Sequence, residues 1–346
     1  MRATVVERPT RSIGWSMTRV LRIAALCVLA VVLFGAALYR LPYYALGPGP
    51  ARQVEPLIDI EDRRRYASEG SLVMTTVTYS QVTAIQAIFA WRDPAVRVVH
   101  EDLIFPPGVD PDTERQRAIS QMDTSKITAT SVALKALTDY PKDHAPGALI
   151  GTTAPGCPAF GELFAGDVIT AIDGTPVRSR KGASDALDAI PLDDAIRFTV
   201  RAGGETTDVT LTREACIQGD PDPLLGINMV NPFPFPVTIA SEDVGGPSAG
   251  LMFALGLYDA LTAEDLTGGL TIAGTGEIFP SGQVGPIGDI ADKVVAADRV
   301  GATVFLVPAD NVPELEDVET GDMRLITVSS FDQALEELRA MAAGPS

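Results

Sequence analysis

Gly245-Gly246-Pro247-Ser248-Ala249-Gly250 opens an apolar run that continues Leu251-Met252-Phe253-Ala254-Leu255. It reads as a tight, glycine-rich turn that delivers a serine onto the first turn of a helix. Pro247 suits a first helical position, where its missing N–H would have no partner anyway. The glycines admit backbone conformations closed to other residues and let another segment approach closely. A serine so placed sits beside unpaired backbone N–H groups at the positive end of the helix dipole, where a developing oxyanion is stabilised. The hexapeptide by itself fits equally well a serine N-cap following a turn.

Downstream, Ala273-Gly274-Thr275-Gly276-Glu277-Ile278 is followed by Gly282-Gln283-Val284-Gly285-Pro286-Ile287-Gly288, then by Asp289-Ile290-Ala291-Asp292-Lys293-Val294-Val295-Ala296-Ala297. Serine hydrolysis needs a base. The two histidines, His100 and His144, stand in neither a glycine-rich nor a helix-opening context. A lysine serves instead if an apolar, water-poor site lowers its pKa toward neutrality. Lys293 leads into Val294, Val295, Ala296 and Ala297 on what reads as a helix. Taken alone it would be a solvated helix lysine.

These blocks, in this order, resemble the proteolytic domain of Lon proteases, which carries a Ser-Lys dyad. The matching residues are Gly246 to Gly250, Thr275-Gly276-Glu277-Ile278, Gly282, Val284, Pro286-Ile287-Gly288 and Lys293, with Gly301-Ala302 and Phe305 to Asn311 continuing the match. The serine and lysine stand 45 residues apart, similar to the family's spacing. The resemblance implies that Ser248 is the nucleophile, Lys293 the general base and Thr275 the residue that orients Lys293. Backbone N–H groups around Gly246 to Ala249 would hold the oxyanion. It also implies, by analogy, a homo-oligomeric ring. One position departs: many Lon domains carry an acid directly before Gly-Pro-Ser, where this chain has Gly245, with Glu242 and Asp243 further upstream.

The 346 residues leave room for two or three domains with a substantial core. Ile23 to Tyr39 is an uncharged apolar run bracketed by Arg22 and Arg40, extended by Leu41, Tyr43 and Tyr44 as an interfacial aromatic belt. The segment before it holds Arg2, Arg8, Arg11, Arg19 and Arg22 against Glu7, so the positive-inside rule puts the N-terminus in the cytoplasm. A cleaved signal peptide is the competing reading; the length of the run and the poor cleavage signal at Ala36-Ala37 favour an uncleaved anchor. Beyond Arg22 the chain carries 22 basic against 44 acidic residues, which excludes a phosphate-tracking surface for nucleic acid. No G-x-x-x-x-G-K-[ST] loop occurs, so no ATP use is expected, and no Cys/His cluster suggests a metal.

Along the chain, Gly47-Pro48-Gly49-Pro50 reads as a stiff linker, Ser71 to Tyr79 as a strand, and Val82 to Trp91 and Thr124 to Leu137 as helices. Ser125 and Lys126 are adjacent, so their side chains diverge on a helix, and they read as surface or capping residues. Gly147 to Thr212 changes character, with four short strands between Pro-Gly, Asp-Gly and Gly-Gly turns and one helix, Ala183 to Ile190.

Through Ala154 to Ala159, Ala165-Gly166-Asp167-Val168-Ile169 and Ile172 to Val177, this region resembles a bacterial PDZ domain. The resemblance implies that Leu225-Gly226-Ile227 is a circularly permuted carboxylate-binding loop, the alternative being a plain interdomain turn. Cys157 stands where the family usually has serine; with Cys216 it forms either a disulfide or two independent buried thiols.

The expected fold class is therefore α+β: a Lon-type proteolytic domain with an inserted β-rich PDZ domain, preceded by one N-terminal transmembrane helix. The boundaries are a cytoplasmic segment 1–22, an anchor 23–44, a linker 45–67, a discontinuous protease domain 68–145 and 229–346, and a PDZ domain 146–228. The expected function is cofactor- and ATP-independent endopeptidase activity outside the membrane on protein or peptide substrates. A PDZ-based adaptor with an inactive protease-like half and another Ser-Lys acyl hydrolase are the alternatives.

Overall fold

The computed structural model describes residues 17–105, 111–217, 221–241 and 244–343, so Glu242 and Asp243 lie outside the described residues. The helices are α1 (Met17–Leu38), α2 (Ala84–Ala90), α3 (Pro111–Leu137), α4 (Arg180–Asp188), α5 (Gly250–Leu261), α6 (Ile290–Arg299) and α7 (Phe331–Ala342). The chain divides into two compact units, Met1–Leu46 with Tyr79–Ile104, and Gly47–Thr78 with Phe105–Ser346.

In the first unit, the Leu21–Leu38 stretch of α1 has a mean hydropathy of 2.5 and is wholly unburied. Among the described residues it is the one helix long and apolar enough to cross a bilayer. The helix stops at Leu38; Leu41, Tyr43 and Tyr44 belong to the strand Arg40–Pro48 rather than to the span expected over 23–44. That strand is the middle of a three-stranded sheet with Val77–Thr83 and Arg97–His100. Thr83 caps α2 reciprocally with Gln86, which is why the helix expected from Val82 starts at Ala84.

The second unit is built on a five-stranded sheet in the order 52–53, 71–74, 271–274, 304–308 and 324–328. All neighbours are parallel except the 52–53 edge. Period-two alternation sends Leu72, Met74, Ile272, Leu306 and Val328 to one face, where they pack with α3, α5 and α7. Val73, Ala273, Phe305 and Val307 go to the other face, against Ile290, Val294 and Ala297 of α6. Helix α5 is apolar on every face except at Asp259, whose carboxylate accepts from the Leu266 N–H, and it is buried from Gly250 to Ala260, as befits a central core helix.

The segment expected as a linker over 45–67 is part of this core. Arg52–Gln53 pairs with the 71–74 strand, Ile58–Ile60 pairs with Val237–Ile239, and Val54 and Ile58 are buried beneath α5. The expected first half of the protease, 68–145, is likewise split, because Tyr79–Ile104 joins the unit that contains α1.

After α3 the chain leaves the parallel sheet and builds an antiparallel one, in the order 205–211, 196–202, 168–172, 148–153 and 227–230. Phe198, Ile150, Ile169 and Leu163 fill a core of its own, closed by Ala183 of α4. The exit and return segments are stapled together: Tyr140 Oη donates to the Asn231 carbonyl at 2.8 Å, and Asn231 Nδ2 donates to the Pro141 carbonyl at 3.0 Å.

Candidate active site

Three elements of the second unit meet at the carboxyl end of the central 271–274 strand. The turn before α5 carries Ser248, the strand end carries Thr275, and α6 contributes Lys293. Gly246 takes φ +86°, a left-handed conformation that turns the chain into the helix. At Gly250, a Cβ would come within 2.6 Å of Ser125 Oγ and 2.7 Å of Ile278 Cγ2. Only glycine lets α3 and the 277–278 strand approach the start of α5 this closely.

Lys293 Nζ lies 2.6 Å from Ser248 Oγ and 3.1 Å from Thr275 Oγ1. The Thr275 hydroxyl donates its one proton to the Ser248 carbonyl at 2.9 Å. It must therefore accept from Lys293, so one amine hydrogen points at Thr275. A neutral amine held this way keeps its lone pair for the serine hydroxyl. Thr275 is 1% exposed and Lys293 4% exposed. Burial pushes the amine down to about 8, against the opposing pull of the Asp289 carboxylate.

The serine turn is braced from three sides. The Gly276 N–H donates to the Ser248 carbonyl at 2.8 Å, and the Gly246 N–H donates to the Ala118 carbonyl at 2.7 Å. Ser125 Oγ donates to the Pro247 carbonyl at 3.0 Å. Ser125 is therefore not the surface or capping residue expected: it is 5% exposed and grips the nucleophile turn from α3. Lys126, its neighbour, pairs with Asp123 at 2.8 Å. The Gly246 N–H is engaged by the Ala118 carbonyl, so it is not free to serve as the oxyanion donor expected of it.

At the other expected site, Leu225 is buried in the core of the antiparallel sheet, and Gly226 takes φ +73° at the entry to the edge strand Ile227–Val230. The Leu225 and Gly226 carbonyls accept from the N–H groups of Ala159 and Ala154. A Cβ at Gly226 would meet Cys157 Cβ at 2.3 Å. Cys157 and Cys216 are joined as a disulfide, which decides between the two cysteine readings.

Residues 240–340 match the family described as the Lon protease (S16) C-terminal proteolytic domain. This segment is similar to the Lon-type proteolytic domain. Lon protease from Heliobacterium modesticaldum is 38% identical over 95 residues, 27% of this chain and 11% of that protein. Lon protease 2 from Herpetosiphon aurantiacus is 41% identical over 93 residues, again 27% and 11%. Lon protease 1 from Bacillus subtilis is 36% identical over 94 residues, 26% and 12%. The chain thus spans about a tenth of the length of these Lon proteases. Ser248, Thr275 and Lys293 all fall inside the matched Lon-type segment. Among solved structures, the PDZ domain of the SdrC-like protein from Listeria innocua is 26% identical, covering 24% of this chain and 92% of that one, with a TM-score of 0.22. The corresponding domain from Listeria monocytogenes is 26% identical, covering 25% and 88%, also at 0.22.

Proposed function

We propose that this chain is a membrane-anchored serine endopeptidase that works through a Ser248–Lys293 dyad and needs no ATP. The observation that carries the reading is the 2.6 Å contact between Ser248 Oγ and a buried lysine amine whose remaining partner, Thr275, can only accept from it. Neutral Lys293 takes the hydroxyl proton as Oγ bonds to the scissile carbonyl carbon. The amine then returns that proton to the leaving nitrogen as the C–N bond breaks, and water releases the acyl group by the same route in reverse. The N–H groups of Ser248 and Ala249 hold the oxyanion, each such donor contributing about 3 kcal/mol in comparable sites.

The α1 helix anchors the chain with its arginine-rich N-terminal segment in the cytoplasm and the catalytic unit outside. The PDZ-like module offers the 227–230 edge strand, entered from Leu225-Gly226-Ile227, for an added strand from the C-terminus of a protein. Assembly as a homo-oligomer follows only by analogy with the Lon family.

The test compares cleavage of an unfolded protein by the wild type, Ser248→Ala and Lys293→Ala, in detergent without nucleotide. Cleavage by the wild type alone is expected. Equal cleavage by all three sinks the dyad, and cleavage that appears only with ATP sinks the nucleotide-independent part.

A further inference from the structure

A cavity of about 460 Å³ lies within the second unit, large enough for a peptide segment. Its near end belongs to the catalytic elements: Pro247 precedes the nucleophile, and Glu277 and Ile278 follow directly on Thr275-Gly276. Helix α3 forms one side through Gln121, Thr124 and Thr128. The opposite side comes from the antiparallel sheet, through Gly151 and Thr152 of the 148–153 strand and Asn228, the partner of Thr152 in the register, and Val230 of the 227–230 strand.

Strand alternation explains why these residues are available. Ile227 and Met229 turn inward to the core of the antiparallel sheet, so Asn228 and Val230 stand on its other face. That face looks across the cavity toward α3 and the serine turn. This is not the strand edge that would receive a C-terminal peptide, but a second surface of the same module.

We propose that the PDZ-like sheet is one wall of the substrate cleft, and that Asn228 and Val230 select residues beside the scissile bond. The inference rests on the endopeptidase reading and adds which part of the chain reads the substrate. The lining also sets the class of segment that fits. Arg117 and Glu277 are its charged members; the rest are hydroxyls, amides and apolar groups such as Ile127 and Phe279. Such a lining favours an extended, uncharged stretch, whose backbone is met by side-chain hydroxyls and amides and whose small or apolar side chains rest on Ile127, Val230 and Phe279. A buried charge with no opposite partner there would be strongly disfavoured.

The experiment is a pair of opposed charge substitutions, Asn228→Asp and Asn228→Lys, in the full chain. Cleavage sites in a peptide library are mapped by mass spectrometry, with Ser248→Ala as the blank. The wild type should disfavour charged residues at the flanking position that faces Asn228, away from Arg117 and Glu277. There, Asn228→Asp should enrich Lys and Arg, and Asn228→Lys should enrich Asp and Glu, each by tenfold or more over the wild type. Opposite shifts from two variants of one residue cannot come from general loss of folding. Unchanged cleavage profiles in both variants would overturn the inference while leaving the endopeptidase intact. So would a shift confined to the substrate's C-terminal residue, which would assign Asn228 to a remote tether. If the wild type cleaves no more than the Ser248→Ala blank, the endopeptidase reading itself falls and this inference with it.

Discussion

Lys293 reaches Ser248 from the opposite face of the central sheet: Nζ lies 2.6 Å from Oγ, although α5 packs in the core on one side and α6 in the core on the other. The two side chains meet at the carboxyl end of the 271–274 strand, the usual position for a site in a parallel sheet. Everything chemical about the site follows from the dryness of that junction.

Burial pushes the amine down to about 8, and the proposed reaction needs its neutral form. On that proposal, roughly a tenth of the molecules are competent at pH 7. We expect kcat/KM for a neutral peptide to rise about tenfold per pH unit below 8 and to level off above it. A profile that is flat from pH 6 to 9 would contradict a lysine base.

The same burial costs stability. Because the folded-state pKa lies below that of the unfolded chain, the unfolded state binds more protons between about pH 8 and 10.5. Stability contributed through this group therefore rises with pH across that window, and below pH 8 the full cost of about 3 kcal/mol is present. Lys293→Met should be inactive yet more resistant to urea than the wild type at pH 7, with the difference closing toward pH 10. Equal urea midpoints at pH 7 would argue against a desolvated amine.

Thr275 accepts from the amine and donates to the Ser248 carbonyl, so it fixes the lone-pair direction. Thr275→Val keeps the shape and removes both bonds. A loss of about 2 kcal/mol in transition-state stabilisation, some thirtyfold in kcat with little change in KM, is expected. Thr275→Ser should recover most of it. The measurement is steady-state cleavage of a fluorogenic peptide.

Ser125 holds the Pro247 carbonyl at 3.0 Å. Ser125→Ala removes a hydrogen bond worth about 1 kcal/mol and leaves the dyad residues in place. Activity should fall about fivefold, and the pH midpoint should stay near 8. A shifted midpoint would mean that Ser125 acts on Lys293 and not on the turn.

The Cys157–Cys216 bridge closes a loop across 59 residues of the antiparallel-sheet module. By the chain-entropy model such a cross-link contributes about 4 kcal/mol. The Cys157→Ser, Cys216→Ser double variant should melt at a lower temperature in the module than in the proteolytic domain, as read by hydrogen exchange. Equal protection of the module in both proteins would show that the bridge adds nothing.

Much of this was legible in one dimension. The apolar run of α5, the glycine-rich turn and the ordered motif series are local patterns, because helix burial, turn conformation and motif spacing are written in neighbouring residues. Leu72-Val73-Met74, Ile272-Ala273 and Phe305-Leu306-Val307 are unbroken apolar runs, which mark strands covered on both faces but do not say which residue takes which face. Ser125 was readable in principle, since it shares a helical face with Met122 and Ala129, both buried.

Other features had no local signature. The segment 45–67 looks like a linker because its strands are two and three residues long, and such strands exist only through their partners at 71–74 and 237–239. The cleft between α3 and the antiparallel sheet is a property of two distant segments brought face to face. By itself the sequence determined which residues are apolar, which turns are glycine-bound and which serine and lysine stand in the motif series. Only the tertiary structure decided that the amine is dry, that one hydroxyl is left to accept from it, and that the inserted module borders the cleft. Desolvation and hydrogen-bond direction depend on atoms far apart along the chain, and no spacing rule contains them.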